Sequence, residues 1–111
     1  MLLSGSCHCK KIGFTLFSRH THPFNLCYCE ICRKTAGGGG YAINLGGEAS
    51  SLEVKGAEYL SIYRAKLIGP DGVSYISSAE RRFCKVCGSA LWLWDPSWPE
   101  LIHPFASAID S

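Results

Sequence analysis

Seven cysteines in a chain of 111 residues constrain this fold more than any hydrophobic pattern, because they fall in three tight groups. These are Cys7 and Cys9, then Cys27, Cys29 and Cys32, then Cys84 and Cys87. An odd number cannot pair completely as disulfides within one chain, and sulfurs separated by one or two residues have the spacing of metal ligands. A tetrahedral zinc held by four thiolates is closed and structural, whereas three protein ligands leave a position where chemistry can occur. Seven sulfurs divide most simply as four and three, and that division decides what the chain can do.

Length and composition narrow the context. The chain has the size of one domain, residues 1–111, with a core that a metal crosslink would reinforce. No run approaches the roughly eighteen uninterrupted apolar residues of a membrane helix, and Met1 to Ser4 lacks the basic flank and length of a secretory signal. A cytoplasmic, non-membrane protein is expected, and reducing cytosol favours metal ligation over disulfides. Seven thiolate charges against two divalent ions turn the formal net charge of +2 into roughly −1. With no run of lysines or arginines either, no nucleic-acid partner is expected.

Six short runs rich in β-branched, aromatic and leucine residues predict strands: 12–17, 40–45, 52–55, 60–65, 73–77 and 90–94. Tyr41, Ile43 and Leu45 alternate with Ala42, Asn44 and Gly46, which predicts a strand with one face inward. Leu91 to Trp94, with Trp98, is apolar on both strand faces and reads as core plus a buried edge. One or two helical turns are expected over Cys29 to Ala36, stopped by Gly37; the four glycines Gly37 to Gly40 then form a loop. The fold class is mainly β.

The cysteine groups carry the chemistry. Cys84, Lys85, Val86, Cys87, Gly88 has the form of a zinc knuckle, a tight turn aiming two sulfurs at one ion with glycine at the position of positive φ. Cys7 and Cys9 flank His8 in extended backbone, so both sulfurs project to one side. Joined to the knuckle they would close a shell that staples the first segment to a distant one, and the binding free energy would belong to folding. Cys27, Cys29 and Cys32 would then share a second ion. Spacing alone leaves a rival open, in which Cys29 and Cys32 join Cys84 and Cys87 as a two-knuckle ribbon. The 51 intervening residues exceed the roughly 15 to 20 of that pattern.

The runs Gly5 to Cys9, Cys27 to Gly37, Arg82 to Ser89 and Ala106 to Asp110 resemble the glutathione-dependent formaldehyde-activating enzyme family over nearly the whole chain. The resemblance implies several short, coiled antiparallel sheets of β-tent type around a structural zinc. It implies structural ligation by Cys7, Cys9, Cys84 and Cys87, and a catalytic zinc on Cys27, Cys29 and Cys32. It further implies a carbon-sulfur lyase acting on S-(hydroxymethyl)glutathione, with glutathione and formaldehyde as partners. Three positions depart from the family pattern: Lys10 stands where glycine is usual, Tyr28 where histidine is frequent, and Glu30 where serine is.

Chemistry agrees with that direction, since three thiolates on Zn²⁺ give a site of net charge −1, better suited to a substrate sulfur than to activating water. Arg33, Lys34 and the glycine loop offer cations and backbone donors for a tripeptide's carboxylates, though short charge clusters are ordinarily surface. Tyr28 offers a hydroxyl beside the sulfurs, though a tyrosine there more often packs on a sheet. His8, His20, His22 and His103 are spare ligands by type, any of which would close the second shell. Two other functions fit the same residues: a non-catalytic zinc-stabilised binding module, and a redox or metal-handling protein using exposed thiolates.

Overall fold

A computed structural model describes residues 1–19 and 25–111. In chain order its strands are β1 (Leu2–Ser6), β2 (Gly13–Phe17), β3 (Asn25–Cys27), β4 (Ala42–Asn44), β5 (Gly47–Glu48) and β6 (Glu53–Lys55). They continue as β7 (Leu60–Tyr63), β8 (Lys66–Ile68), β9 (Ser74–Ile76), β10 (Glu80–Cys84), β11 (Ala90–Trp94) and β12 (Leu101–Pro104). A helix, α1 (Glu30–Ala36), lies between β3 and β4. The strands form a three-stranded sheet ordered β1-β2-β6, a five-stranded sheet ordered β5-β12-β11-β10-β7, and the hairpins β3-β4 and β8-β9. All pairings are antiparallel. The chain is therefore mainly β, in several small sheets with one helix. None of the described helices is long and apolar enough to cross a membrane.

Each of the six predicted runs contains a strand. The strands outside those runs are β1, β3, β5, β8, β10 and β12. β10 is Glu80, Arg81, Arg82, Phe83, Cys84, yet it pairs with β11 on one side and β7 on the other. Its charges are accommodated because Glu80 is bonded by Arg64 and Arg82. In β4 the inward residue is Ala42, while Tyr41 stays exposed. Ala42 is small enough to pack against Cys32 and Phe105, and Tyr41 lies against Tyr28 with ring centroids 5.9 Å apart.

The tryptophan run differs from its sequence reading in two ways. β11 is an interior strand of its sheet, not an edge. Trp98 is exposed. Between Arg82 and Phe83 the pairing slips by one residue, so that Leu91 is extra in β11. Leu91 and Trp92 are buried. Trp92 and Trp94 help to wall a cavity of about 1120 Å³ whose lining also includes Leu52, Val54 and Ile102.

Two apolar clusters organise the interior. The larger joins Leu3, Ile12, Phe14, Leu16, Leu91, Trp92 and Ile102 to Cys7 and Cys84. Phe14 meets Trp92 edge-on, centroids 5.0 Å apart, the geometry that sets a positive ring edge against a negative face. The smaller cluster is Cys32, Ala42 and Phe105, with Cys27, Ala90 and Leu93 packed on it. Each cluster thus supports one group of cysteines.

The segment 106–111 is tied back onto β1. Asp110 N donates to Ser4 O, Ser4 N donates to the Ser111 hydroxyl, and Gly5 bridges Ile109. Gly5 permits this approach, because a Cβ there would stand 2.5 Å from both the Ala108 carbonyl oxygen and the Phe14 ring. Gly5→Ala should lower unfolding free energy by about 1–3 kcal/mol in denaturant titration. Gly46→Ala, whose Cβ meets nothing within 4 Å, should stay within about 0.5 kcal/mol.

Candidate functional site

Cys7 follows β1, and Cys9 lies in the turn that leads to β2. The turn is closed by Lys10 N donating to Cys7 O and Cys7 N donating to Ile12 O, both at 3.1 Å. It sets Lys10 at φ 66°, the only positive φ of a described non-glycine residue. This left-handed geometry is the reason glycine suits the position.

Cys84 ends β10, and Gly88 N donates to Cys84 O at 2.8 Å with Gly88 at φ 79°. The amides of Val86 and Cys87 donate to Cys84 Sγ at 3.4 and 3.5 Å, and Ile12 N donates to Cys7 Sγ at 3.4 Å.

The four sulfurs converge. Cys7 Sγ is 3.6 Å from Cys9 Sγ, Cys9 Sγ is 3.8 Å from Cys84 Sγ, and the ligand atoms of all four lie within 4.8 Å of one another. A tetrahedral zinc with bonds of about 2.3 Å separates its sulfurs by about 3.8 Å. Disulfide sulfurs would be about 2.05 Å apart. The donor set, spacing and amide contacts fit zinc.

Cys27, Cys29 and Cys32 form a second group, also within 4.8 Å of one another. Cys27 ends β3, and Cys29 is the N-cap of α1, its sulfur accepting from Cys32 N at 3.3 Å. Helical backbone then carries Cys32 back towards the cap, and Cys27 Sγ lies 3.4 Å from Cys29 Sγ. Cys32 is 2% exposed, whereas Cys29 is exposed at the surface. The two-knuckle ribbon does not form: the sulfurs group as four and three, with Cys29 and Cys32 apart from Cys84 and Cys87.

The remaining sequence candidates separate. Arg33 and Lys34 are exposed in the last turn of α1, where their charge suits the helix C-terminus. Tyr28 is exposed. His8 and His103 belong to neither sulfur group; the His103 ring nitrogen lies 3.1 Å from Leu45 O. His20 and His22 lie outside the described residues.

A residue that sequence reasoning missed is Arg81. Its Nη2 donates to Cys32 Sγ at 3.5 Å and its Nη1 to Thr35 Oγ1 at 3.4 Å. The available signal was its position in the charged run just ahead of the knuckle.

The sulfurs of the metal-free protein differ in acidity. The Ser89 hydroxyl, followed by backbone donors, holds Cys87 down to about 5. Cys9 receives a lowering contribution from the Lys11 amide, but burial and the neighbouring thiols outweigh it and push Cys9 up to about 11. Cys29 is lowered, first by the Cys32 amide. Burial pushes Cys32 up to about 11 despite Arg81.

A model of the family described as glutathione-dependent formaldehyde-activating enzyme matches residues 2–110. The chain belongs to this family. A relative from Halomonas elongata, which bears the same enzyme name as a provisional one, is 63% identical over 111 residues, covering 100% of this chain and 68% of the relative. A crystal structure of a Rhodobacter sphaeroides protein superposes with a TM-score of 0.74 at 24% identity, covering 97% of this chain and 88% of that one. This second likeness establishes shared fold alone. Within a formaldehyde-activating family, two sulfur groups of unequal size and exposure are the feature that invites a division of roles.

Proposed function

We propose that residues 1–111 act as one zinc-binding domain that forms and cleaves S-(hydroxymethyl)glutathione. In this reading Cys7, Cys9, Cys84 and Cys87 hold a structural zinc, and Cys27, Cys29 and Cys32 hold a catalytic one. The observation that carries it is the contrast between the sulfur groups. Four sulfurs would complete a shell seated in the larger core, whereas the group at the N-terminus of α1 offers three sulfurs among the described residues, one fewer than a closed shell, beside the exposed Cys29. Family membership, and the name of the Halomonas elongata relative, support glutathione and formaldehyde as substrates.

When bound, a three-thiolate zinc supplies a soft centre that favours sulfur and lowers the pKa of a thiol. The chain's own residues prepare that place. The Cys32 amide holds the Cys29 sulfur, and the smaller core fixes Cys32 through Ala42 and Phe105. In the forward reaction the thiolate sulfur bonds to the formaldehyde carbon, the carbonyl π pair moves to oxygen, and that oxygen takes one proton. In reverse the hydroxyl proton leaves, the carbonyl reforms and the carbon-sulfur bond breaks, which makes the catalyst a carbon-sulfur lyase. Holding thiol and aldehyde together in one orientation is the main contribution a small site can make.

Protein purified without chelator should contain two zinc ions per chain by elemental analysis. Cys29→Ser should keep the fold and lose one ion. Cys84→Ser should fail to fold or melt at least about 10 °C lower. Exchange NMR of glutathione with formaldehyde should show wild-type acceleration over buffer and none for Cys32→Ser. A wild-type rate equal to buffer would sink the formaldehyde assignment.

A further inference from the structure

Strand β10 carries three charges in succession, and only two of them are mutually satisfied. One Glu80 carboxylate oxygen accepts from Arg64 at 3.0 Å and the other from Arg82 at 2.6 Å. Arg81, between Glu80 and Arg82 in sequence, has no carboxylate partner among the described residues. It is partly buried, and its two side-chain acceptors are the Cys32 sulfur and the Thr35 hydroxyl. Arginine does not shed its proton in proteins. A guanidinium withdrawn from water without a counter-charge is unfavourable. The anionic partner within reach is the sulfur group that contains Cys32.

The electrostatic balance explains why such a cation is useful. Three thiolates around a divalent ion leave a net charge of about −1. An incoming thiol that carries carboxylates would be repelled by that charge, and one guanidinium cancels it. Arg81 also walls a recess of about 270 Å³ lined by Thr35, Tyr63, Phe83 and Phe105, so an anionic group arriving there meets the cation. Arg81 sits on an interior strand paired on both sides, which holds its backbone in place.

We propose that Arg81 is a positioning residue for the three-cysteine centre: acting through Cys32, it neutralises the centre's charge and admits an anionic thiol. The inference rests on the reading of Cys27, Cys29 and Cys32 as ligands of one ion. Two consequences follow from charge and not from shape. The second ion is bound more tightly than three thiolates alone would hold it, and anionic thiols are favoured over neutral ones relative to a centre without the cation.

Cobalt(II) titration of reduced, metal-free protein against a chelator, read by sulfur-to-metal charge-transfer absorption, separates the two binding classes without requiring turnover. In Arg81→Gln the weaker class should lose about 10- to 100-fold in affinity while the tighter class is unchanged. Arg81→Lys should recover most of the loss. In the formaldehyde reaction, Arg81→Gln should raise KM for glutathione several-fold more than KM for uncharged 2-mercaptoethanol. Equal cobalt affinities in wild type and Arg81→Gln overturn the assignment. So does weakening of both classes together, or equal impairment of the Gln and Lys variants, because each points to a structural role. A wild-type chain that binds one cobalt ion overturns the ligand reading itself, and with it this inference.

Discussion

Four sulfurs within 4.8 Å of one another form the contact on which the larger core closes, and as thiolates they would repel one another unless a cation lay between them. The proposed ligation by Cys7, Cys9, Cys84 and Cys87 would meet that requirement. Two sulfurs come from the connection between β1 and β2 and two from the turn between β10 and β11, elements that belong to different sheets. Cys7 and Cys84 are fully buried within the larger core. Apolar packing and the proposed ligation would therefore act on the same contact. Apolar burial brings the two turns together, and a shared cation would remove the electrostatic cost of ionised sulfurs meeting there. Such a crosslink would help small sheets with strands of two to five residues to hold together with little continuous ladder to support them.

The smaller sulfur group is built by different means. Its geometry is local, within one strand end and one helical turn, and the Cys29 cap position follows from helix geometry. Only Cys32 is buried, against two residues of other elements. A group assembled this way imposes few constraints on the rest of the molecule. It can keep an exposed side without endangering the fold, which is the structural requirement for a site that exchanges ligands.

Much of this was legible in the sequence. Cysteine spacing marked the knuckle; Cys7 and Cys9 do meet, but through a turn closed by Lys10 N on Cys7 O and not through the extended backbone expected. β-rich runs located half of the strands. Two of the strands that were missed, β10 and β5, share a physical cause: their neighbours supply what their own residues lack. β10 is polar because ion pairs and two flanking strands satisfy it, and β5 is two residues long because pairing with β12 suffices. Arg81 was invisible for the same reason. Its meaning lies in the distance to Cys32, 49 positions earlier in the chain. The lysine at position 10 was legible only as a departure, and the backbone shows that it occupies a conformation suited to glycine.

Arg81 and Cys84 are three residues apart in β10, and side chains of a strand alternate between its faces. One therefore turns towards the smaller sulfur group and the other towards the larger. What the strand preserves is a count. Inserting or deleting one residue between Arg81 and Cys84 would send both side chains to the same face. In this short stretch, intolerance to a change in length is the consequence of a single parity.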